Sequence, residues 1–356
     1  MRSREHLRAL IICLTLTSAC AAPVEILPPE LRGGLQPQIA VAPSGRIHVV
    51  FGKDNAIYHT ASTDERTFSL PVKVGELDKL ALKMRRGPRV AVAGQRVIVT
   101  AISHQDGMLH CWNSADDGKM WKEQAPLNSP AGSAREGLHA MAGDGRNLIA
   151  IAWLDLRNKG TELWSRVSRD GGTTWGAETR VYASPDGHIC ECCHPSLAAG
   201  PKGEIAALWR NWLDGSRDMW LAVSHDGGRT FADARKLGPG TWQLKGCPMD
   251  GGAVAFADNG KPVAVWRREM TVFASAAPDR EDRLSDSGTQ PVIQTSGQGI
   301  LTVWEERSGL MLKRDQAAPT QLATNGRAAA MAAMPDGSVV VAWETGDGSI
   351  MTDIVQ

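Results

Sequence analysis

The segment DGHICECCHP places Cys190, Cys192, Cys193 and His194 within five consecutive positions, in a chain of 356 residues that holds 7 cysteines in all. Three kinds of chemistry suit such a cluster. Thiolates are soft ligands that favour copper(I) or zinc(II). Cysteines of exported proteins usually pair as disulfides, although adjacent Cys192 and Cys193 can scarcely bond to each other without strain. Cys190 to His194 also satisfies C-x-x-C-H, the attachment pattern of c-type haem. The extra cysteine between the anchors and Pro195 directly after the histidine fit haem c poorly. A second cysteine segment, GCPMDGG, carries Cys247 and Met249. The candidate metal ligands are therefore Cys190, Cys192, Cys193 and Cys247, with His194 and Met249 as further donors for copper or zinc. Thiol redox chemistry is compatible with the same set. Cys111, in LHCWNS, reads as a buried spectator within a strand.

The elements that must position these residues repeat. SADDGKMW starts at Ser114, SRDGGTTW at Ser168 and SHDGGRTF at Ser224, with a worn copy, STDERTF, at Ser62. A period near fifty residues is that of a propeller blade, one four-stranded sheet per repeat. Apolar runs ending in an aromatic recur: IHVVF at Phe51, LIAIAW at Trp153, EIAALW at Trp209, PVAVW at Trp266, ILTVW at Trp304 and VVVAW at Trp343, with VIVTA filling the same slot at Ala101. Each follows a turn and a shorter apolar strand, which makes an inner hairpin that occurs seven times. Continuous apolar runs fit strands buried on both faces between neighbouring blades. The expected fold is all-β: a propeller of four-stranded blades, seven favoured and six as the alternative. The last repeat supplies three strands, and PVEIL, from Pro23 to Leu27, is placed to add the fourth and close the ring.

The S-x-D-x-G-x-x-W element resembles the Asp-box, or BNR repeat, of the sialidase-like propeller superfamily. The resemblance covers almost all of the chain after its leader. It implies that Asp116, Asp170 and Asp226 brace the turn between third and fourth strands, away from the active face. It also implies a site built from loops that feed the inner strands and leave the second strands. On that reading the CECCHP segment feeds the fourth blade, GCPMDGG feeds the fifth, and the two meet beside the central channel.

The same face gathers charge. The second-strand exits carry Asp155 and Arg157, Arg210, Arg267, Glu305 and Arg307, and the loop before the second blade carries Arg86. Arginine binds carboxylates bidentately, so these residues form a candidate substrate-binding set for an acidic sugar. Paired carboxylates such as Asp155 and Glu305 could act as acid and base of a glycosidase. Sialidases, however, use a tyrosine nucleophile in a late blade. The chain has only Tyr58 and Tyr182, in early repeats. RRGP, from Arg85 to Pro88, keeps only part of the family's F-R-I-P motif. The chain is thus read as a divergent member that lacks the sialidase catalytic set, and fold does not carry function.

The first 22 residues read as a secretory signal: Arg2, Arg4 and Arg8, then ALIICLTL, then small residues. TSAC, ending at Cys20, is similar to a lipoprotein box, so Cys20 is a candidate lipidation site. Residues 23–356 are expected to form one domain, in the periplasm or anchored by lipid in a bacterial envelope, with no membrane contact beyond that anchor. Lys plus Arg equals Asp plus Glu, 39 each, which gives no argument for a nucleic-acid partner. The first functional expectation is a non-hydrolytic protein with a cysteine site for copper or another soft metal, or for thiol redox chemistry. The alternatives are an exo-α-sialidase-type glycoside hydrolase and a disulfide-stapled scaffold that binds an unknown protein or glycan partner.

Overall fold

Strands dominate because the apolar segments are short, rich in β-branched and aromatic residues, and punctuated by glycine turns. The computed structural model describes residues 22–356; of the leader read over residues 1–22, all but Ala22, and with it Cys20, lies outside the described residues. It shows seven antiparallel sheets of four strands each. Blades 1 to 7 begin with the inner strands Leu35–Val41, Arg89–Ala93, His139–Gly143, Ser196–Ala199, Ala253–Phe256, Thr289–Ser296 and Arg327–Ala333. Each inner strand contacts the next around the ring, and blade 7 returns to blade 1. The count of seven replaces the alternative of six.

The second strands form the packed layer. Ile149–Asp155 and Ile205–Arg210 are buried at every position, as continuous apolar runs require when both faces meet neighbouring blades. Trp153, Trp209 and Trp304 are among the largest fully buried side chains. Val24–Glu25 pairs with the outer edge of Ile350–Val355, so blade 7 takes its fourth strand from the other end of the chain. Ile26 and Leu27 follow into the core between blades 7 and 1.

The three full Asp-boxes lie where the third strand turns into the fourth, and their bonding is the same each time. In the blade 3 copy, Ser168 Oγ donates to Asp170 at 2.8 Å and accepts from the Gly172 N–H at 2.8 Å. Asp170 accepts from the N–H groups of Thr173 and Thr174. Burial opposes ionisation of Asp170, but the Thr174, Ser168 and Thr173 hydrogen bonds prevail and lower its pKa to about 2. The carboxylate is engaged in its own turn.

Closure through the first strand is testable. Leu27→Ala should lower the urea midpoint by the equivalent of about 2–5 kcal/mol, the usual cost of truncating a buried leucine. Leu70→Ala, at a side chain 77% exposed, should leave it unchanged. Equal midpoints for the two variants would show that the ring does not depend on its N-terminal clasp.

Candidate functional site: a trithiol pocket at the channel mouth

The pocket is built by two loops that pack over the end of the second strand of blade 4. The loop feeding blade 4 is pinned by the Cys190 N–H, which donates to the Arg210 carbonyl at 2.9 Å, and by a bridge between Ile189 and Asn211. The loop feeding blade 5 is pinned by the Arg217 N–H on the Trp242 carbonyl and by the Trp242 N–H on Asp218 Oδ1. Gly251 lets this second loop approach the first, because any side chain there would run into the His194 carbonyl. Arg210 lies beneath both loops, 1% exposed. Its guanidinium donates to the carbonyls of Asp250, Arg217 and Arg267 at 2.9, 2.7 and 2.8 Å.

Within this frame the three cysteines of CECCH converge. The Sγ separations are 3.6 Å for Cys190–Cys192, 3.3 Å for Cys190–Cys193 and 4.0 Å for Cys192–Cys193. All five cysteines of the described residues are free thiols. Cys190 and Cys193 are buried, and Cys192 is half-buried. Arg217 Nη1 donates to Cys190 Sγ at 3.0 Å. Its guanidinium lies 4.6 Å from the ring centre of Trp212, whose ring stacks with that of His188.

The electrostatics separate the three thiols. Hydrogen bonds with Cys192 and Cys193, and then the charges of Arg217 and Arg210, hold the Cys190 thiol well below its ordinary range, against the opposing effect of burial. The protons remain on its neighbours. Cys192 is pushed up by its contacts with Cys190 and Cys193. Burial first, then Cys190, pushes Cys193 up to about 12.

The other expected ligands take different positions. Cys247 is exposed and stands outside the group of sulfurs. Met249 is 43% exposed and holds Gln290 through its carbonyl rather than its sulfur. His194 lines the central channel, a cavity of about 780 Å3, and its Nδ1 has no hydrogen-bond partner among the described residues. Burial, then Arg85, Arg89 and Arg210, lowers its pKa well below the ordinary value. Cys111 is buried inside a blade 2 strand, and burial raises its thiol to about 12.

The charged residues expected to hold a substrate are mostly engaged inside the protein. Arg210 is saturated by main-chain carbonyls, as described. Asp155 is fully buried and accepts from Trp153 Nε1 at 2.6 Å and from Arg157 Nε at 2.9 Å. Arg157 also pairs with Glu178 and lies over the Trp164 ring. Arg86 donates to the Glu136 carbonyl at 2.7 Å. Arg267 donates to the Glu269 carbonyl and lies 3.5 Å from Asp250. Glu305 accepts from the Ala328 N–H at 2.8 Å. Burial raises its pKa; Arg85 opposes this, and the carboxylates reinforcing it are Asp250 and Glu344 rather than Asp155. Arg307 is exposed in a hairpin turn. Tyr182 packs on Trp209 and Trp220 and accepts from Asn211 Nδ2, and Tyr58 stacks on Phe51.

Of two further arginines important to the site, the sequence patterns placed Arg85 at the channel mouth but did not single out Arg217. Arg217 sits in the loop after the second strand of blade 4 with no motif around it. Its position next to the exit that pairs with the cysteine loop was the available signal. Arg85 reaches across the channel mouth, donating to Gln290 and to the Ala329 carbonyl. Lys83, Met84 and Arg85 all have left-handed backbones, which aims that side chain across the ring at a cost in strain.

The comparisons agree with this architecture. Residues 96–284 match the family model of the BNR repeat-like domain, over half of the chain, and the protein belongs to that family. A search of curated proteins finds no match. Among solved structures, the chain is similar to an α-L-arabinanase of Penicillium chrysogenum: 13% identity, TM-score 0.57, covering 95% of this chain and 98% of that one. It is similar to a virginiamycin B lyase from Staphylococcus aureus at 11% identity and TM-score 0.56, covering 94% and 98%. It is also similar to the NanB sialidase from Streptococcus pneumoniae at 11% identity and TM-score 0.55, covering 94% and 71%. At such identities the likeness is one of fold, and the sialidase-like propeller is the class this chain joins.

The lowered Cys190 pKa has a spectroscopic consequence. Reduced, metal-free protein should keep thiolate absorbance near about 240 nm down to pH values well below the ordinary thiol range of about 8.5. Arg217→Leu should move that step up by about one pH unit or more, because a neighbouring cation is removed. Absorbance that rises only above about pH 8, alike in both proteins, would contradict the assignment.

Proposed function

We propose that this propeller is an exported, non-hydrolytic protein whose working site is the trithiol pocket, and that the pocket holds one soft metal ion, copper(I) in the first place. The observation that carries the reading is the triangle of sulfurs. Its centre lies about 2.1 Å from each Sγ, by the three separations above, and a metal–thiolate bond is about 2.3 Å for zinc. An ion just above the plane of the sulfurs would meet all three without side-chain movement.

Charge favours the same occupant. Three thiolates around a monovalent ion leave an excess of negative charge, and Arg217 and Arg210 are the cations beside it. Soft sulfur ligands favour copper(I), and three-fold coordination suits it, whereas zinc usually takes four ligands. For zinc the exposed Cys247 would have to close over the pocket. The bulk of the protein then acts as a rigid mount that holds two loops in register.

A sialidase-type reaction is supported less well. Arg210 is occupied by main-chain carbonyls and Asp155 by Trp153 and Arg157. Neither tyrosine stands free at the mouth. The leader and Cys20 support an envelope location, periplasmic or lipid-anchored.

The test is elemental analysis of protein purified without chelator and offered copper(I) under anaerobic conditions. One copper per chain is expected, lost in Cys192→Ser and kept in Cys247→Ser. Arg217→Met should weaken copper affinity by about 10- to 100-fold, the usual effect of removing a partner that supports a ligand. No retained copper, together with release of a fluorophore from a sialoside, would reverse the reading in favour of a hydrolase. Retention of zinc alone, dependent on Cys247, would keep the pocket but change the ion and its coordination.

A further inference from the structure

The three thiols differ in access and in spacing, and these differences set an order of reaction. Cys190 and Cys193 are each 1% exposed, whereas Cys192 is half-buried. An external reagent therefore meets Cys192 first. The partner best placed to follow is Cys190, 3.6 Å from the Cys192 sulfur and held there by Arg217. Cys193 is farther from Cys192, at 4.0 Å, and adjacent to it in the chain, where a disulfide is strained.

We infer that the pocket carries out thiol–disulfide exchange with an external disulfide, entering at Cys192 and closing on Cys190. This deepens the metal reading, since the same sulfurs take part. In the first step the Cys192 thiol gives up its proton and its thiolate attacks one sulfur of the external disulfide. A Cys192 mixed disulfide forms, the external S–S bond breaks, and one external thiol leaves with the Cys192 proton. In the second step the Cys190 sulfur attacks Cys192 Sγ. The Cys190–Cys192 bond forms and the second external sulfur leaves as a thiolate, which takes a proton from water. The external disulfide is reduced by two electrons and the protein is oxidised by two.

Closure removes two of the three sulfurs that would hold an ion. Cys193 alone is a poor site, so oxidation releases the metal and reduction restores the pocket. Arg217 loses the sulfur charge it faces in the same event, and Trp212 beside it reports the change.

The experiment uses the full mature chain, reduced and metal-free, treated with glutathione disulfide and quenched with acid. Intact mass and peptide mapping should show a loss of about 2 Da and a Cys190–Cys192 link. Cys190→Ser should stop at a stable glutathione adduct on Cys192. Cys193→Ser should still close the link, and Cys247→Ser should behave as wild type. Wild-type mapping decides the matter even where a serine variant fails to fold. Glutathione found only on Cys247, or a link that excludes Cys192, would overturn the inference. Copper-loaded protein should lose its ion on oxidation and regain copper binding after reduction. Because the mapping is done without metal, a failure of metal binding leaves the exchange result standing, and an unreactive pocket that still binds copper would sink the exchange alone.

Discussion

Everything at the channel mouth rests on one buried cation. A charged guanidinium with almost no solvent contact must have its donors met, because an unpaired buried charge is among the costliest features a fold can carry. Arg210 meets that demand with three main-chain carbonyls, from Arg217 in its own blade and from Asp250 and Arg267 in the next. Its own carbonyl receives the Cys190 N–H. The residue thus joins the cysteine loop, the loop that carries Arg217 and the loop that feeds blade 5. That arrangement, and no disulfide, holds the loop that carries the three cysteines.

The same economy gives the arginines and carboxylates of this face a structural duty. In a ring, each blade exposes loop ends whose main-chain groups lack strand partners. Here Glu305 caps the start of blade 7 at Ala328, and Glu344 caps Gln36 at the start of blade 1. Asp250 does the same for Gln290 at the start of blade 6. The carboxylates join neighbouring blades, and arginines such as Arg85 and Arg267 lie beside them. What remains without such a structural duty is the sulfur triangle and the channel behind it, with His194 facing in. The proposed chemistry is therefore placed on the cysteines, and the shared fold with an arabinanase, a lyase and a sialidase fixes only the mount.

The fold was legible because its signals repeat. One Asp-box is a weak cue, but copies at Ser114, Ser168 and Ser224 in step with aromatic-ended strands define blades. The count of seven and the use of PVEIL to close blade 7 follow from missing-strand arithmetic and from the need to leave no open edge. The meeting of the CECCHP and GCPMDGG loops was legible for the same reason, since blade position fixes which face a loop occupies, but of the four cysteines expected to converge only Cys190, Cys192 and Cys193 do. Cys247 was placed on the correct face and loop, but a blade register does not say whether a loop folds inward, and this one leaves the thiol exposed. The roles of Asp155 and Arg210 were hidden because a charge at a strand end looks alike in sequence whether it faces solvent or bonds inside. Arg217 was hidden because its partner is a sulfur distant in sequence, brought near only by the way two loops pack.

The central claim is that three sulfurs of one short loop bind a single soft ion. X-ray absorption at the copper edge of anaerobically loaded protein tests it most directly. The account requires a first shell of three sulfur atoms at about 2.3 Å, and no such shell in Cys192→Ser, which loses its copper. A shell dominated by nitrogen or oxygen, or a sulfur shell unchanged by that substitution, would contradict it.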